Sequence, residues 1–304
     1  MLAPPSPIKI LLVGYGCMAL SILEGLLTHQ AAHETAQGTL APIELVGVFR
    51  WSSRPKSRHF NDAYEYRLKQ LIRDHQLNDI QREGVNTYAF TEILNQHQPD
   101  IILCASWGEI FKPHLLDADA PYRVLNCHPS LLPSHRGANP YTSTIRAGET
   151  HSGITYHWMT PDIDAGPILV QAKVAIASHE TGGSLRDKCA KAAKESLPQL
   201  LTLLQSAPSL DTVEGQTQVE TQSSYHPQLK MEDGLIDWNA PVETLDRQIR
   251  GLSPWLSCYT FFSTPILGDT VLTFQNGWPV QRDNLEPDIQ KFSASLSPGH
   301  ITAI

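Results

Sequence analysis

Residues 8–19 read IKILLVGYGCMA, an apolar run interrupted only by Lys9 and closed by a glycine turn. An apolar run without alternation is what a strand covered on both faces requires. Ala19, Ile22, Leu23, Leu26 and Leu27 follow at helical spacing. Strand, glycine turn and helix together open a doubly wound α/β domain. The same grammar continues outward: Ile43–Phe49 is a second apolar run after a surface loop over 31–42. Leu68, Leu71 and Ile72 predict a helix over about 61–75. Ile101–Cys104 and Val124-Leu125 read as further buried parallel strands, and Gly153–Trp158 and Pro167–Ile176 as two more. From Ser184 to about Gln205, Leu185, Cys189, Ala192, Ala193, Leu197, Leu200 and Leu204 line one helical face, with a kink expected at Pro198.

Residues 206–224 are polar and carry few large apolar side chains. Beyond them the pattern changes to short β-like pieces at Trp255–Phe262, Val271–Phe274 and His300–Ile304. The expected organisation is a doubly wound, mostly parallel catalytic domain over 1–207, a linker over 208–224, and a small β-rich domain over 225–304. The last 97 residues hold 5 Lys+Arg against 12 Asp+Glu, a net of −7 out of −8 for the chain. An acidic third is a poor platform for nucleic acid.

A composition of 41% hydrophobic and 18% charged residues excludes extensive disorder. No apolar run reaches the ~18 residues of a membrane span. The N-terminus lacks the pattern of a secretory signal. Five scattered cysteines, none in C-x-x-C spacing, argue against a disulfide framework or a cysteine zinc site. These features fit a cytoplasmic chain with no membrane and no obligate protein partner.

The first candidate site is the turn Gly14-Tyr15-Gly16, which matches the dinucleotide fingerprint G-x-G-x-x-A through Ala19. Arg50, Arg54, Lys56 and Arg58 follow the second strand, where an NADP enzyme would hold a 2′-phosphate. That gives an NADP-linked oxidoreductase as one reading. The plainer reading is a tight turn followed by a solvated basic loop, which any doubly wound fold carries.

The second candidate is the block 126–166: NCHPSLLPSHRG at 126–137, then Asp162-Ile-Asp164-Ala-Gly166. Asn126 and His128 lie two apart at the end of a buried strand, on one face, with Cys127 on the other. The carboxyl ends of such strands are where open α/β sheets bind ligands. Asp164 sits in a loop between two strands and can return to that edge. An amide and an imidazolium can donate to a developing oxyanion, while a carboxylate raises the imidazole pKa and orients it. Acyl transfer suits this set. A covalent route lacks a nucleophile, since Ser130 stands outside any Gly-x-Ser-x-Gly context and Cys127 faces away. The histidines show no zinc spacing, so no metal is expected.

Asn126-x-His128-Pro-Ser-Leu-Leu-Pro133, Arg136-Gly137 and Asp164-Ala-Gly166 resemble the folate-dependent formyltransferases. Residues 100–110 resemble the strand and loop preceding that block. Glu232–Trp238 and Ile249–Trp255 resemble the C-terminal domain of the methionyl-tRNA branch. The resemblance implies an N-formyltransferase using 10-formyltetrahydrofolate as co-substrate and no metal. Folate would lie against Ala105, Ser106, Trp107, Gly108, Glu109, Ile110 and Phe111, and against Thr160, Pro161, Asp162 and Ile163. Asn126, His128 and Asp164 would be catalytic. The amine acceptor, an aminoacylated initiator tRNA or an amino-sugar nucleotide, would meet three groups of residues. These are the glycine loop Gly14, Tyr15 and Gly16; the basic residues Arg54, Lys56 and Arg58; and Ser130, Leu131, Leu132, Pro133, Arg136 and Gly137. The chain departs from the branch where Gly14-Tyr-Gly16 replaces Gly-Thr-Pro and where Trp51-Ser-Ser-Arg-Pro55 only partly echoes Asp-Arg-Pro. The branch's C-terminal β domain also continues past the equivalent of Ile304.

Overall fold

The run of residues 8–13 forms an inner strand of the sheet. The structure, a computed structural model, describes residues 6–35, 42–52, 62–117, 119–264 and 268–274. In chain order the elements are β1 (Ile8–Gly14), α1 (Gly16–Thr35), β2 (Ile43–Trp51), α2 (Asp62–Asp74), β3 (Asp79–Arg82), α3 (Tyr88–His97), β4 (Ile101–Ala105) and β5 (Arg123–His128). There follow β6 (Arg136–Gly137), α4 (Pro140–Ala147), β7 (His151–Trp158), β8 (Ile168–Ala175), α5 (Gly182–Ser206) and β9 (Tyr225–His226), then α6 (Val242–Leu252), β10 (Cys258–Thr264) and β11 (Gly268–Phe274). Seven strands make one sheet in the order β3-β2-β1-β4-β5-β7-β8. The first five are parallel, and β7 and β8 run antiparallel.

The absence of alternation in β1 has the expected cause. Ile10 and Leu12 face the core beneath α1 and α5, while Leu11 and Val13 face the core that holds Phe49, Phe90 and Phe111. α1 buries Ala19, Ile22, Leu23 and Leu26 completely, one stripe of its surface. A side chain at Gly14 would collide with the Ala105 carbonyl, so the crossing of β1 and β4 demands glycine there.

Three local readings differ from the structure. The 31–42 loop is shorter than expected, because α1 continues to Thr35 before the residues outside the description begin. β3 and α3 were not anticipated: β3 is a four-residue edge strand with only Ile80 buried, too short for a period, and α3 is announced mainly by its Thr87 N-cap. α5 spans Pro198 as one helix. The C-terminal region combines the antiparallel pair β10-β11 with a helix, α6, that packs Leu245, Ile249 and Leu252 beside Ile236, Trp238 and Cys258. The strand read at His300–Ile304 lies outside the described residues.

The polar segment 208–224 lies along the large domain. Gln216 pairs with Ile168 in both directions, and the Trp158 indole donates to the Val213 carbonyl. β9 then pairs with β6. Among the described residues no helix is long and apolar enough to cross a membrane.

Candidate active site

Period two brings Asn126 and His128 to one side of β5, and the long turn between β7 and β8 brings Asp164 to meet them. Cys127 points the opposite way, its thiol 3.9 Å from the Met18 sulfur. Asp164 holds φ 51°, a left-handed backbone that folds the turn back. Its Oδ1 accepts from Asn126 Nδ2 at 3.3 Å, and its Oδ2 accepts from the Gly137 N–H at 2.8 Å and faces His128 Nδ1 at 3.5 Å.

The imidazole has one committed nitrogen. Its Nε2 sits 2.8 Å from the His135 carbonyl, which can only accept, so the resting proton is on Nε2. Nδ1, toward Asp164, is the nitrogen left to gain a proton. Burial pushes the His128 pKa down, and the Asp164 carboxylate only partly offsets this. His128 is therefore neutral at rest, not the imidazolium expected from a carboxylate neighbour alone; desolvation outweighs the charge. Burial would raise Asp164, but His128, His157 and the Gly137 N–H hold its carboxyl well below the usual range, and it stays ionised.

Several contributors carried no sequence signal. His157, across from Asn126 on β7, donates from Nδ1 to the Trp158 carbonyl, and its Nε2 lies 3.3 Å from Asn126 Nδ2 and 3.6 Å from Asp164 Oδ1. Only the antiparallel register places it there. Gln218 donates to the carbonyls of Asp164 and Gly166, at 2.7 and 2.8 Å, and so pins the turn. It lies in a segment whose polarity reads as linker. His135 is held by Ser143 and Glu149 and stacks on His226 at 5.1 Å.

The other expected residues separate into groups. Ala105–Phe111 leave the carboxyl end of β4, beside β5, with Ala105 and Phe111 buried and Ile110 exposed. Glu109 turns back to accept from Val85 N and Asn86 Nδ2, so this loop is braced by its own carboxylate. Thr160–Ile163 precede Asp164, with Thr160 Oγ1 donating to the Asp162 carbonyl. Ser130 is fully buried and donates to the Ser134 carbonyl, which gives its hydroxyl a structural partner and no base. Leu132 is buried, with its N–H on Thr155 Oγ1, and Leu131 and Pro133 are partly buried around it. Gly137 belongs to the site through its N–H. Arg136 does not present its cation to an acceptor: the guanidinium is buried against Gln218 and Glu220.

The glycine loop also differs from expectation. The Gly16 N–H, which would meet a phosphate, donates to Glu65 Oε1 at 2.7 Å. Arg50 is clamped by Asp79 through two hydrogen bonds of 2.6 Å. A dinucleotide phosphate would find a carboxylate in its place, so the NADP reading fails. Arg54, Lys56 and Arg58 lie outside the described residues. All five cysteines are free and buried. Among the described residues no group of three or more His, Cys, Asp and Glu could hold a metal ion.

Comparison with known proteins points one way. A formyl transferase family model matches residues 26–201, and a formyl transferase C-terminal domain model matches 228–303. The methionyl-tRNA formyltransferase of Syntrophus aciditrophicus is 36% identical over 221 residues, covering 72% of this chain and 68% of that one. Among solved structures, a sugar N-formyltransferase from a Shewanella species superposes with a TM-score of 0.61 at 16% identity, covering 90% of this chain and 99% of that one. HypX from Aquifex aeolicus, in complex with tetrahydrofolic acid, gives 0.55 at 14% identity, over 84% of this chain and 36% of that one.

Proposed function

Because this chain belongs to the formyl transferase family and is an N-formyltransferase supplied by 10-formyltetrahydrofolate, we propose that its acceptor is the amine of an aminoacylated initiator tRNA and that Asn126, His128 and Asp164 carry the transfer. The observation that supports the residue roles is the meeting of the Asn126 and His128 side chains on the ionised Asp164 carboxylate. The acceptor reading rests on relatives named methionyl-tRNA formyltransferase, 29–36% identical across 72–84% of the chain.

The chemistry follows from the protonation states. The neutral amine adds to the formyl carbon, forming the new N–C bond and turning the carbonyl oxygen into an oxyanion. Asn126 Nδ2, whose two existing hydrogen bonds are both long at 3.3 Å, can shift a donor to that oxygen. The amine's proton passes to Nδ1 of His128, and the imidazolium so formed is held by Asp164, its positive charge offsetting the oxyanion. Collapse breaks the bond to N10 of the folate, and the proton goes to that nitrogen. Charge appears on His128 only when there is an oxyanion to meet it. The loops 105–111 and 160–163 flank this centre as the folate walls.

The acidic C-terminal third favours one second reading, an amino-sugar nucleotide as acceptor. A formyl-transfer assay against charged initiator tRNA and a set of amino-sugar nucleotides decides between them. A folate analogue should raise the melting temperature through mass action, and NADPH should not. Failure of every amine to be formylated would overturn the proposal.

A further inference from the structure

Three adjacent strands deliver aromatic rings to the carboxyl edge of the sheet, next to the strand that carries Asn126. Trp51 ends β2, Tyr15 follows β1, and Trp107 follows β4. Trp51 and Trp107 stack with ring centroids 4.2 Å apart and planes within 7°. Phe49 at 5.5 Å and Tyr15 at 6.4 Å meet Trp107 edge-on and fix its plane. Among the described residues, the buried Trp107 indole N–H has no hydrogen-bond partner. Trp51 itself is half-buried.

Among the described residues, the charges at the glycine turn keep an anion off its N–H groups. Glu65 already occupies the Gly16 N–H and is only 6% exposed, and Arg50 is locked to Asp79. A phosphate would meet a buried carboxylate where a glycine loop usually offers donors. A planar neutral ring meets no such penalty and gains a rigid aromatic face. Trp51 stands three strands from Asn126, about 14 Å at the usual inter-strand spacing. That span suits an amine carried on a nucleotide, with the amine at β5 and the base at β2.

We propose that Trp51, backed by Trp107 and Tyr15, forms a stacking subsite for the nucleobase of the acceptor, and that the glycine loop binds no acceptor phosphate. The inference rests on the formyl-transfer reading but not on which nucleotide-borne amine is used. The terminal adenosine of a charged tRNA and the nucleoside of a nucleotide-linked amino sugar offer the same flat ring. Base–aromatic stacking gives about 5- to 150-fold in affinity and tolerates either base.

The test measures binding to the full chain by calorimetry, independently of turnover. One pair of probes is the stable amide analogue of 3′-methionyladenosine and methionine amide, which lacks the base. The other is a thymidine-diphosphate-linked 4-amino sugar and the corresponding sugar 1-phosphate. In at least one pair the base-bearing probe should bind about 5- to 150-fold tighter. Trp51→Ala should erase most of that difference, and Trp51→Phe should keep part of it, with the affinity for tetrahydrofolate unchanged in both. The pair showing the difference identifies the source of the base. A preference confined to the sugar pair would overturn the tRNA reading and leave this inference standing. The inference falls if neither pair shows a base-dependent difference, or if Trp51→Ala preserves it. It falls equally if that change weakens methionine amide as much as its adenosine partner, which would assign the rings to the amino-acid side chain. Loss of tetrahydrofolate affinity in Trp51→Phe would assign Trp51, like Trp107, to the folate wall and overturn it too.

Discussion

The carboxylate of Asp164 accepts a hydrogen bond from the backbone N–H of Gly137 at 2.8 Å, joining two turns 27 residues apart in the chain. That bond spends one lobe of Oδ2 on the scaffold. It also fixes the other oxygen, Oδ1, toward Asn126 and His157. The acid is thus oriented by backbone before any substrate arrives.

Removing a donor or the carboxylate should disable turnover and spare binding. Asn126→Ala and His128→Ala should each lower kcat by about 10²–10³ or more, with folate affinity nearly unchanged. Asp164→Asn should be as severe, because nothing then stabilises the imidazolium. Steady-state kinetics together with folate titration check this; near-normal kcat in His128→Ala would remove its assigned role.

The protonation state of His128 has a thermal signature. Its folded pKa lies below the unfolded value of about 6.5, so as pH falls below 6.5 the unfolded chain gains a proton that the folded chain refuses. Wild type should therefore lose stability relative to His128→Gln between about pH 7 and 5. Asp164 is silent in this window, since its folded value is depressed and its unfolded value is about 3.9. Its contribution is present above that value and disappears only as pH falls further, toward the folded one. A wild-type melting temperature that rose relative to that of His128→Gln on acidification would mean that His128 is cationic in the folded protein.

Gln218 tests whether the segment after α5 positions the acid. Gln218→Ala removes both donors that hold the Asp164 turn and leaves Arg136 with fewer acceptors. Misplacement of a reacting group costs steeply, so kcat should fall by about 10-fold or more with little change in KM. An unchanged kcat would show the turn to be held by other contacts.

The thiols should be inert in the native state. Burial pushes Cys17 and Cys258 to about 11 and Cys104 and Cys189 to about 12, and it raises Cys127 as well. Iodoacetamide at pH 8 should label none of the five in the folded protein and all five in denaturant, by mass spectrometry. Native labelling of Cys127 with loss of activity would reopen a covalent route.

Salt dependence probes the acceptor. A tRNA complex neutralising several phosphates should weaken with a log–log slope of about −1 per contact. A nucleotide-sized acceptor should show a shallow slope. Replacing Arg54, Lys56 and Arg58 together with Ala should abolish tRNA formylation and leave folate binding intact. Absence of salt-sensitive tRNA binding at low ionic strength would leave the amino-sugar nucleotide as the leading acceptor.

Much of this protein was written locally. Runs such as residues 10–13 and 101–104 announce strands buried on both faces because each residue must be apolar whichever way it points. Asn126 and His128 could be placed on one face because a strand alternates with period two. The ordered block through Asp164 named the chemistry. What the chain alone withheld depends on contacts between distant segments. Strand register set His157 opposite Asn126, and the return of 208–224 set Gln218 on the Asp164 turn. Glu65 reached the glycine loop from α2, 49 residues away, and turned an apparent phosphate cradle into a filled one. The balance between burial and a neighbouring carboxylate, which decides that His128 rests neutral, exists only once the fold has excluded water from both.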